Sequence, residues 1–184
     1  MKSLLLLILL ASAQVGAAEF NLVQAERSTL TFAYQQMGVP IEGKFSKFGA
    51  RINFDPARVG AAQTQIDVNL ASIDTGSDEA NGEVAGKQWF NTKLFPSAQF
   101  ISTGVKALGG NRYEALGKLT LKGKTLDVSA PFTFRQEANT GIFDGVFILK
   151  RLDYAIGEGA WTDVSAVANE IRIVFHVVAV PVKK

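Results

Sequence analysis

The sequence predicts an all-β protein, either a sandwich or a closed antiparallel barrel, and three observations support this. Apolar and polar residues alternate with a period of two along most of the chain, as they do in half-buried strands. Gly, Pro and Asn punctuate these runs at short intervals, which is typical of hairpins. The 184 residues also include 13 Phe, 2 Trp and 3 Tyr, more aromatic residues than one face of one sheet would need.

The first half of the chain predicts four strands. Leu30, Phe32 and Tyr34 define the first, and the next run continues to Asp55-Pro56 with a change of phase on the way. The residues that carry this alternation are Ile41, Gly43 and Phe45 in one phase, Phe48, Ala50, Ile52 and Phe54 in the other, and then Ile66, Val68 and Leu70. The change of phase predicts a bulge or bend near Ser46-Lys47.

Residues 77–91 lose the alternation and predict a helix, although Gly82 and Gly86 each weaken it by about 1 kcal/mol relative to Ala. Strands follow at 98–108, on both sides of residues 122–123, around 143–149 and at the C-terminus. Gly109-Gly110-Asn111 predicts a turn between two of them.

Residues 117–125, GKLTLKGKT, superficially resemble a phosphate-binding loop. That loop needs four residues between its first Gly and the Gly-Lys-Thr group, whereas here five residues separate Gly117 from Gly123. Leu119, Leu121 and Leu126 alternate with polar residues around Lys122-Gly123. The segment therefore predicts a β-hairpin with Gly at the turn.

The N-terminus has the pattern of a secretory signal peptide: Lys2, an apolar run from Leu4 to Ala11, and small residues before a cut near Ala18. The sequence thus predicts a signal peptide over 1–18 and one domain over 19–184, exported to a bacterial periplasm. The chain contains no Cys, which excludes disulfides and thiolate metal sites. One hydrophobic core must stabilise the domain.

The charge is nearly balanced, with 19 Lys and Arg against 17 Asp and Glu and no basic block. Nucleic acid is therefore not an expected partner. His176 is the single histidine, in the last predicted strand, so a zinc site of three or four protein ligands is not expected. We predict no metal site, no catalytic residues and no cofactor, and a non-enzymatic protein.

Asp74-Thr75-Gly76-Ser77 matches the signature of aspartic proteases. That mechanism needs two carboxylates sharing a proton, and one copy of the motif in a chain this short leaves a homodimeric enzyme as the sole form open to it. Asp, Thr and Ser also favour turns and helix N-caps, which is the simpler interpretation.

Five segments of the chain carry recognisable motifs in a fixed order: GKFSKFGARINFDP, IDVNLASIDTGSDEAN, WFNTKLFPSAQFIST, GKLTLKGKTLDVS and RLDYAIGEGAW. Together they resemble the YceI-like family of bacterial periplasmic, polyisoprenoid-binding proteins. Many members have an Arg-Asp-x-His-Leu stretch at the helix, where this chain has Gly82-Glu83-Val84-Ala85-Gly86.

The resemblance implies an extended antiparallel lipocalin-like β-barrel of about eight strands with one or two short helices in the connections. It also implies an apolar interior that holds a long isoprenoid chain, such as a quinone tail or a polyprenyl lipid. Inward-facing aromatic residues are the candidates for the lining, and three loop residues are candidates for the mouth. The lining set is Phe32, Phe45, Phe48, Phe54, Phe100, Phe132, Phe147 and Phe175, and the mouth set is Trp89, Phe90 and Trp161.

Three alternatives stay open at this stage. A barrel filled with side chains would act as a stress or interaction protein without a lipid. The Asp74 motif would make a dimeric protease. A carrier of quinone would serve a membrane quinone-dependent redox protein, and a homodimer is compatible with each of these.

Overall fold

The computed structural model describes residues 19–182. The predicted signal peptide therefore lies outside the described residues, as do the last two lysines. The domain is built from eleven antiparallel strands and one α-helix, α1 (Asp78–Ala85), with five short 3₁₀ turns between them. The strands are β1 (Phe20–Val23), β2 (Thr29–Gln36), β3 (Val39–Phe45), β4 (Phe48–Asn53), β5 (Gln63–Asn69), β6 (Ile73–Asp74), β7 (Ser97–Gly109), β8 (Arg112–Leu121), β9 (Lys124–Glu137), β10 (Thr140–Lys150) and β11 (Glu170–Pro181).

The strands form one sheet in the order β4-β5-β7-β8-β9-β10-β11-β2-β3-β6, and β1 pairs with the outer part of β11. The sheet curls because β3 and β4 are two halves of one bent strand. The first half pairs with β2 and the second half with β5, so the same strand borders both ends of the sheet. Counting β3–β4 and β5–β6 as one bent strand each leaves eight strands around the barrel, with β1 as a short addition. The predicted all-β barrel is confirmed.

The bend lies where the change of phase predicted it. β3 ends at Phe45 and β4 begins at Phe48. Ser72 holds the two intervening residues in place, because its carbonyl accepts a hydrogen bond from the Ser46 backbone N–H and its Oγ accepts one from the Lys47 N–H, both at 3.0 Å. The β5–β6 strand bends at the same level, so the kink runs through both strands.

The two predicted hairpin turns are present. Lys122 and Gly123 both have positive φ, 48° and 76°, which is the geometry of a two-residue turn between twisted strands. Gly109 and Gly110 also have positive φ and join β7 to β8. Each hairpin connects strands of ten or more residues, which makes this side of the barrel continuous.

Helix α1 is shorter than the sequence predicts. Ser77 is its N-cap, with its side-chain oxygen accepting a hydrogen bond from the Ala80 N–H, and the helix ends at Ala85. Gly86 takes an extended conformation (φ −69°, ψ 172°), and Asn91 has a positive φ of 52°. Residues 86–95 therefore form turns that pack against the barrel. In residues 19–182 there is no helix long and apolar enough to cross a bilayer.

Candidate ligand-binding cavity

The barrel encloses a cavity of about 590 Å³. Most residues around it are aliphatic or aromatic, and they come from inward-facing positions on β2, β3, β5 and β7–β11. A volume in this range is typical of pockets that take one small-molecule ligand. The interior of the barrel is therefore hollow in its middle part.

One end of the barrel is filled by packed rings, which we call the aromatic floor: Phe20, Phe54, Tyr113, Phe132, Phe134 and Phe143. Phe54 lies at its centre, with ring centroids 4.8 Å from Phe134 and 5.2 Å from Phe143. Phe20 of β1 closes the seam of the barrel here, because its backbone N–H donates to the Phe54 carbonyl at 2.9 Å. Edge-to-face and tilted pairs of this kind contribute beyond their buried area. The floor closes the cavity at this end.

Above the floor, three aromatic rings lie against glycines of the neighbouring strand. Phe32 pairs with Gly43 across β2 and β3, and Phe175 pairs with Gly145 across β11 and β10. Phe100 of β7 similarly packs on Gly117 of β8. A Cβ at any of these glycines would clash with the facing ring. The absence of that carbon leaves room for each ring to pack over the glycine.

The opposite end of the barrel is the mouth, which we define by α1, the turns at 86–95 and the β10–β11 connection at 151–169. Exposed residues of α1, Glu79 and Glu83, border the same cavity as buried residues of the barrel, so the cavity reaches solvent beside this helix. Trp89 and Trp161 lie next to each other there, with ring centroids 5.4 Å apart. The Trp161 indole Nε1 donates to Glu83 Oε1 at 2.9 Å, which ties the β10–β11 connection to α1 across the mouth.

Arg151 organises the β10–β11 connection from inside. The residue is 1% exposed, and its guanidinium donates five hydrogen bonds to backbone carbonyls. The acceptors are the carbonyls of Ala168, Ile156, Gly157, Trp161 and Val167, at 2.6 to 3.3 Å. The guanidinium also lies 5.5 Å from the centre of the Trp89 ring, which is cation–π geometry. Burial lowers the pKa of Arg151, yet a guanidinium keeps its charge in proteins.

A lysine of the predicted hairpin supports the same connection from outside. Lys122 Nζ donates to the Ala155 carbonyl at 2.7 Å and to Glu158 Oε2 at 2.8 Å, and its side chain is 7% exposed. The hydrogen bond from Lys122 lowers the pKa of the Glu158 carboxyl. The hairpin segment at residues 117–125, which superficially resembles a phosphate-binding loop, therefore has a structural role at the mouth through Lys122.

Two buried side-chain polar atoms in residues 19–182 have no hydrogen-bond partner: Trp89 Nε1 and Tyr154 Oη. Burial, with a smaller effect of Asp153, raises the pKa of Tyr154 to about 12. Trp89 borders the cavity, whereas Tyr154 does not. Unpaired buried donors are rare and each calls for an explanation.

The structure brings ten of the eleven predicted lining and mouth residues to this one cavity. They are Phe32, Phe45, Phe54, Trp89, Phe90, Phe100, Phe132, Phe147, Trp161 and Phe175. That these residues contact a ligand stays a prediction. Phe48 was placed wrongly: it comes directly after the bend and borders a shallow outer groove with Lys47 and Pro96.

The sequence analysis did not name many residues that border the cavity, and four of them are informative. Tyr34 and Phe143 lie in the same phase as predicted lining residues, so the alternation contained the signal for both. Glu83 and Arg151 also border the cavity. Nothing in the sequence distinguishes Arg151 from the exposed arginines, because its carbonyl acceptors come from residues as far as 17 positions away.

The Asp74 motif forms a turn and a helix cap. The Asp74 carboxylate accepts a hydrogen bond from the Gly76 N–H at 3.0 Å and lies 3.7 Å from Lys44 Nζ. Thr75 bonds to Asn81. The hydrogen bonds to Gly76 and Asn81 join residues that are close in sequence.

His176 contacts Asp144, and Asp144 also pairs with Arg135 at 2.7 Å. All three side chains are partly exposed. Across residues 19–182, no group of three or more His, Cys, Asp or Glu is arranged to hold a metal ion.

The sequence model of the YceI-like domain family matches residues 22–179 of this chain. Among solved structures, the chain is similar to BcnA of Burkholderia cenocepacia, with 43% identity and a TM-score of 0.84 over 85% of this chain and 99% of that one. It also superposes on a polyisoprenoid binding domain from Saccharophagus degradans, with a TM-score of 0.68 over 90% of this chain and 99% of that one. Because the two sequences are 16% identical, this superposition shows a shared fold alone. A UPF0312 protein of Yersinia pestis is 28% identical over 91% of this chain and 88% of its own length.

Proposed function

This chain belongs to the YceI-like family, and we propose that it is a periplasmic carrier or storage protein that holds a long isoprenoid lipid in its barrel. The observation that carries the proposal is the apolar cavity of about 590 Å³ between the aromatic floor and the mouth. The structural neighbour described as a polyisoprenoid binding domain supports the choice of cargo. The signal-peptide pattern of residues 1–18 supports the location.

The chemistry of the wall suits a branched hydrocarbon chain. Burying one CH₂ group contributes roughly 0.8 kcal/mol, so one five-carbon isoprene unit contributes at most about 4 kcal/mol. A few units would reach practical limits of affinity before the cost of ordering the chain is subtracted. The aromatic rings that pack over the wall glycines offer apolar contact area to such a chain. A cavity with few polar groups is therefore sufficient for tight binding.

Native mass spectrometry tests this proposal. The mature protein is purified from a periplasmic extract without detergent, and its bound material is then extracted into organic solvent. We expect a stoichiometric adduct that the extract identifies as a quinone or a polyprenyl lipid. A protein that is free of adduct and that takes up no added isoprenoid would contradict the proposal and favour an interaction protein without cargo. The same spectra report whether the protein is a homodimer.

If the lipid is a quinone, a membrane quinone-dependent redox protein becomes the expected partner.

The aspartic-protease alternative predicts that Asp74→Ala abolishes a proteolytic activity of a dimer. We expect instead that Asp74→Ala leaves lipid content unchanged, since Asp74 contacts Gly76 and Lys44 and does not border the cavity.

A further inference from the structure

The seam between β9 and β10 is paired along only part of its length. Its ladder ends at the pair formed by Phe132 and Gly145. Both strands continue past that pair, since residues 124–131 stay paired with β8 and residues 146–150 stay paired with β11. Among the residues that the structure describes, no backbone pair joins 124–131 to 146–150. We call this unpaired stretch of the barrel wall the side slot.

Pro131 explains why the ladder ends there. In a two-residue hairpin the residues on either side of the turn form a hydrogen-bonded pair, and backbone groups then alternate between the two neighbouring strands. Leu121 and Lys124 flank the turn at 122–123, so alternate residues of β9, Pro131 among them, direct their backbone groups toward β10. Proline has no N–H to donate, and within sheets it is confined to edges and irregularities. The sequence itself therefore stops the pairing at this point.

Lysine side chains, rather than backbone pairs, hold the other end of the side slot. Lys124 Nζ donates to the Asp153 carbonyl at 3.2 Å, and Lys122 Nζ donates to the Ala155 carbonyl at 2.7 Å. Both acceptors lie in the β10–β11 connection, directly after β10. The side slot is therefore bounded by the end of the ladder toward the floor and by two lysines toward the mouth.

The inner side of the side slot is apolar. Val128 and Ala130 of β9 border the cavity, and so do Phe147 and Leu149 of β10. These four residues belong to the two strand segments that are not paired with each other. Separation of the two segments would therefore expose the apolar interior of the barrel.

The outer side of the side slot is apolar as well. Leu126 lies in the same phase as the inward-facing Val128, yet it is 38% exposed and does not border the cavity. Its exposed surface therefore meets the outside solvent. Ile148 on the facing strand is 52% exposed, and Val146 beside it is half-buried. Apolar side chains thus continue from the outer surface, along both edges of the side slot, to the cavity.

We propose that the side slot is the entrance through which the hydrocarbon tail of the cargo passes from a phospholipid bilayer into the cavity. This inference rests on the proposed function, because it needs a lipid cargo. Strand segments without backbone pairs separate at a low cost in free energy. The mouth is held more firmly, by the Arg151 network and by the hydrogen bond from Trp161 to Glu83. A tail that moves past apolar edges also stays out of water, which lowers the barrier to its transfer.

The first experiment closes the side slot. Continuing the register of the ladder places Ser129 opposite Ile148, and both are exposed. The chain has no Cys, so the double variant Ser129→Cys, Ile148→Cys has a single thiol pair, which a short bis-methanethiosulfonate links and dithiothreitol releases. Delipidated mature protein is mixed with phosphatidylethanolamine and phosphatidylglycerol vesicles that carry a naphthoquinone with a geranylgeranyl chain. Quenching of Trp89 and Trp161, which border the cavity, reports the rate of loading, and native mass spectrometry reports the amount bound at equilibrium.

We expect the cross-link to slow loading about tenfold or more, because an obstructed path lowers a rate without changing the bound state. The amount bound at equilibrium should not change, and dithiothreitol should restore the wild-type rate. The matched control is Lys118→Cys, Asp127→Cys with the same reagent. These two exposed residues lie opposite each other across the paired seam of β8 and β9, so linking them should leave the rate of loading unchanged.

A second pair of variants needs no cross-link. Ile148→Asp places a charge at the edge of the side slot, and we expect it to slow loading about three- to tenfold, because a carboxylate there keeps water at the path of the tail. Ile101→Asp is the control, since Ile101 is similarly exposed, at 46%, on a strand that is paired on both sides. It should load at the wild-type rate.

The outcomes separate the entrance from the proposed function. If wild-type protein takes up no quinone from the vesicles or from free solution, the proposed function is wrong and the inference falls with it. If the cross-linked protein and Ile148→Asp both load at the wild-type rate, the protein is a carrier and the tail enters by the mouth, which overturns the inference. If the cross-link lowers the equilibrium amount as much as the rate, the side slot is part of the binding site rather than its entrance, and the inference is again overturned.

Discussion

At the scale of single residues, Arg151 has the largest set of contacts at the mouth. It joins both ends of the β10–β11 connection, because its acceptors lie at residues 156–161 on one side and 167–168 on the other. The connection contains Trp161, and so the guanidinium determines where this side chain meets Trp89 and Glu83. A buried charge that is fully hydrogen-bonded specifies one conformation of a loop.

Arg151→Met removes these bonds while keeping a side chain of similar length. Five carbonyls would lose a donor, three of them in buried hydrogen bonds, so we expect the free energy of unfolding to fall by about 3–5 kcal/mol, as measured by urea denaturation. Arg27→Met is the control, because Arg27 is exposed and donates to Gln24, and it should change stability by less than about 0.5 kcal/mol. Equal effects of the two substitutions would show that the Arg151 network does not stabilise the fold.

Asp55 links stability to acid pH. Its carboxylate accepts hydrogen bonds from Arg58 Nε at 2.7 Å and from the Ala57 N–H at 2.8 Å. These contacts, led by the Arg58 bond, lower the pKa of Asp55 below its usual value of 3.8. A carboxyl whose pKa is lower in the folded state stabilises the fold above its unfolded pKa, and this contribution is lost as the pH falls through the folded pKa.

We therefore expect Asp55→Asn to flatten the acid limb of the stability profile below about pH 4, measured as the urea midpoint at a series of pH values. Asp127→Asn is the control, because Asp127 pairs with Lys118 on the surface with a side chain that is 84% exposed. An unchanged acid limb in Asp55→Asn would assign the acid sensitivity to other carboxyls.

At the scale of elements, the aromatic and glycine pairs decide how the strands of the wall pack. Gly43 and Gly145 each lie directly opposite a Phe on the neighbouring strand. Glycine in a strand is normally unfavourable because it has no side chain to pack. Here the ring of the facing residue covers the glycine, which compensates for that loss.

Gly145→Ala tests this arrangement. The new Cβ would clash with the Phe175 ring and lie 2.6 Å from the Pro131 carbonyl oxygen, so we expect a loss of about 1–3 kcal/mol in the free energy of unfolding. Gly49→Ala in β4 is the matched control, because nothing lies within 4 Å of its Cβ position. It should leave stability unchanged or raise it by up to about 1 kcal/mol. A loss at both positions would indicate a general intolerance of β-strand glycine replacement.

At the scale of the whole molecule, the domain consists of a packed half and a hollow half. The aromatic floor supplies a dense core near β1, whereas the middle of the barrel carries the cavity. The two halves meet at Phe54, Phe132 and Phe143, which belong to the floor and also border the cavity. Small inward-facing side chains such as Ala98 on β7 border the hollow half.

Ala98→Phe should fill part of the cavity and lower the lipid content of purified protein about tenfold or more, because the ring would occupy space that the tail needs. Ala107→Phe, at an exposed position on the same strand, should keep the wild-type content. Native mass spectrometry gives the content, and thermal unfolding verifies that both variants fold. Retention of full cargo in a folded Ala98→Phe protein would place the lipid elsewhere.

The alternation of residues determined the all-β class, the two hairpins and the bend at Ser46-Lys47, because each of these depends on neighbours in the chain. The same alternation placed seven of the eight predicted lining residues at the cavity, and the three predicted mouth residues, which lie in loops, border it as well. It failed at Phe48, which follows the bend directly and borders an outer groove instead, and at the C-terminal side of α1, where Gly86 ends the helix early.

Whether the barrel is hollow was decided by the tertiary structure alone. The inward-facing glycines at 43 and 145 were visible in the sequence, but their effect depends on which ring the register places opposite them. The carbonyls that surround Arg151 and the unpaired Trp89 Nε1 likewise arise from segments distant in sequence. Periodicity determines which face of a strand is apolar, whereas the volume left between those faces depends on cross-strand partners, and these exist only once the barrel has closed.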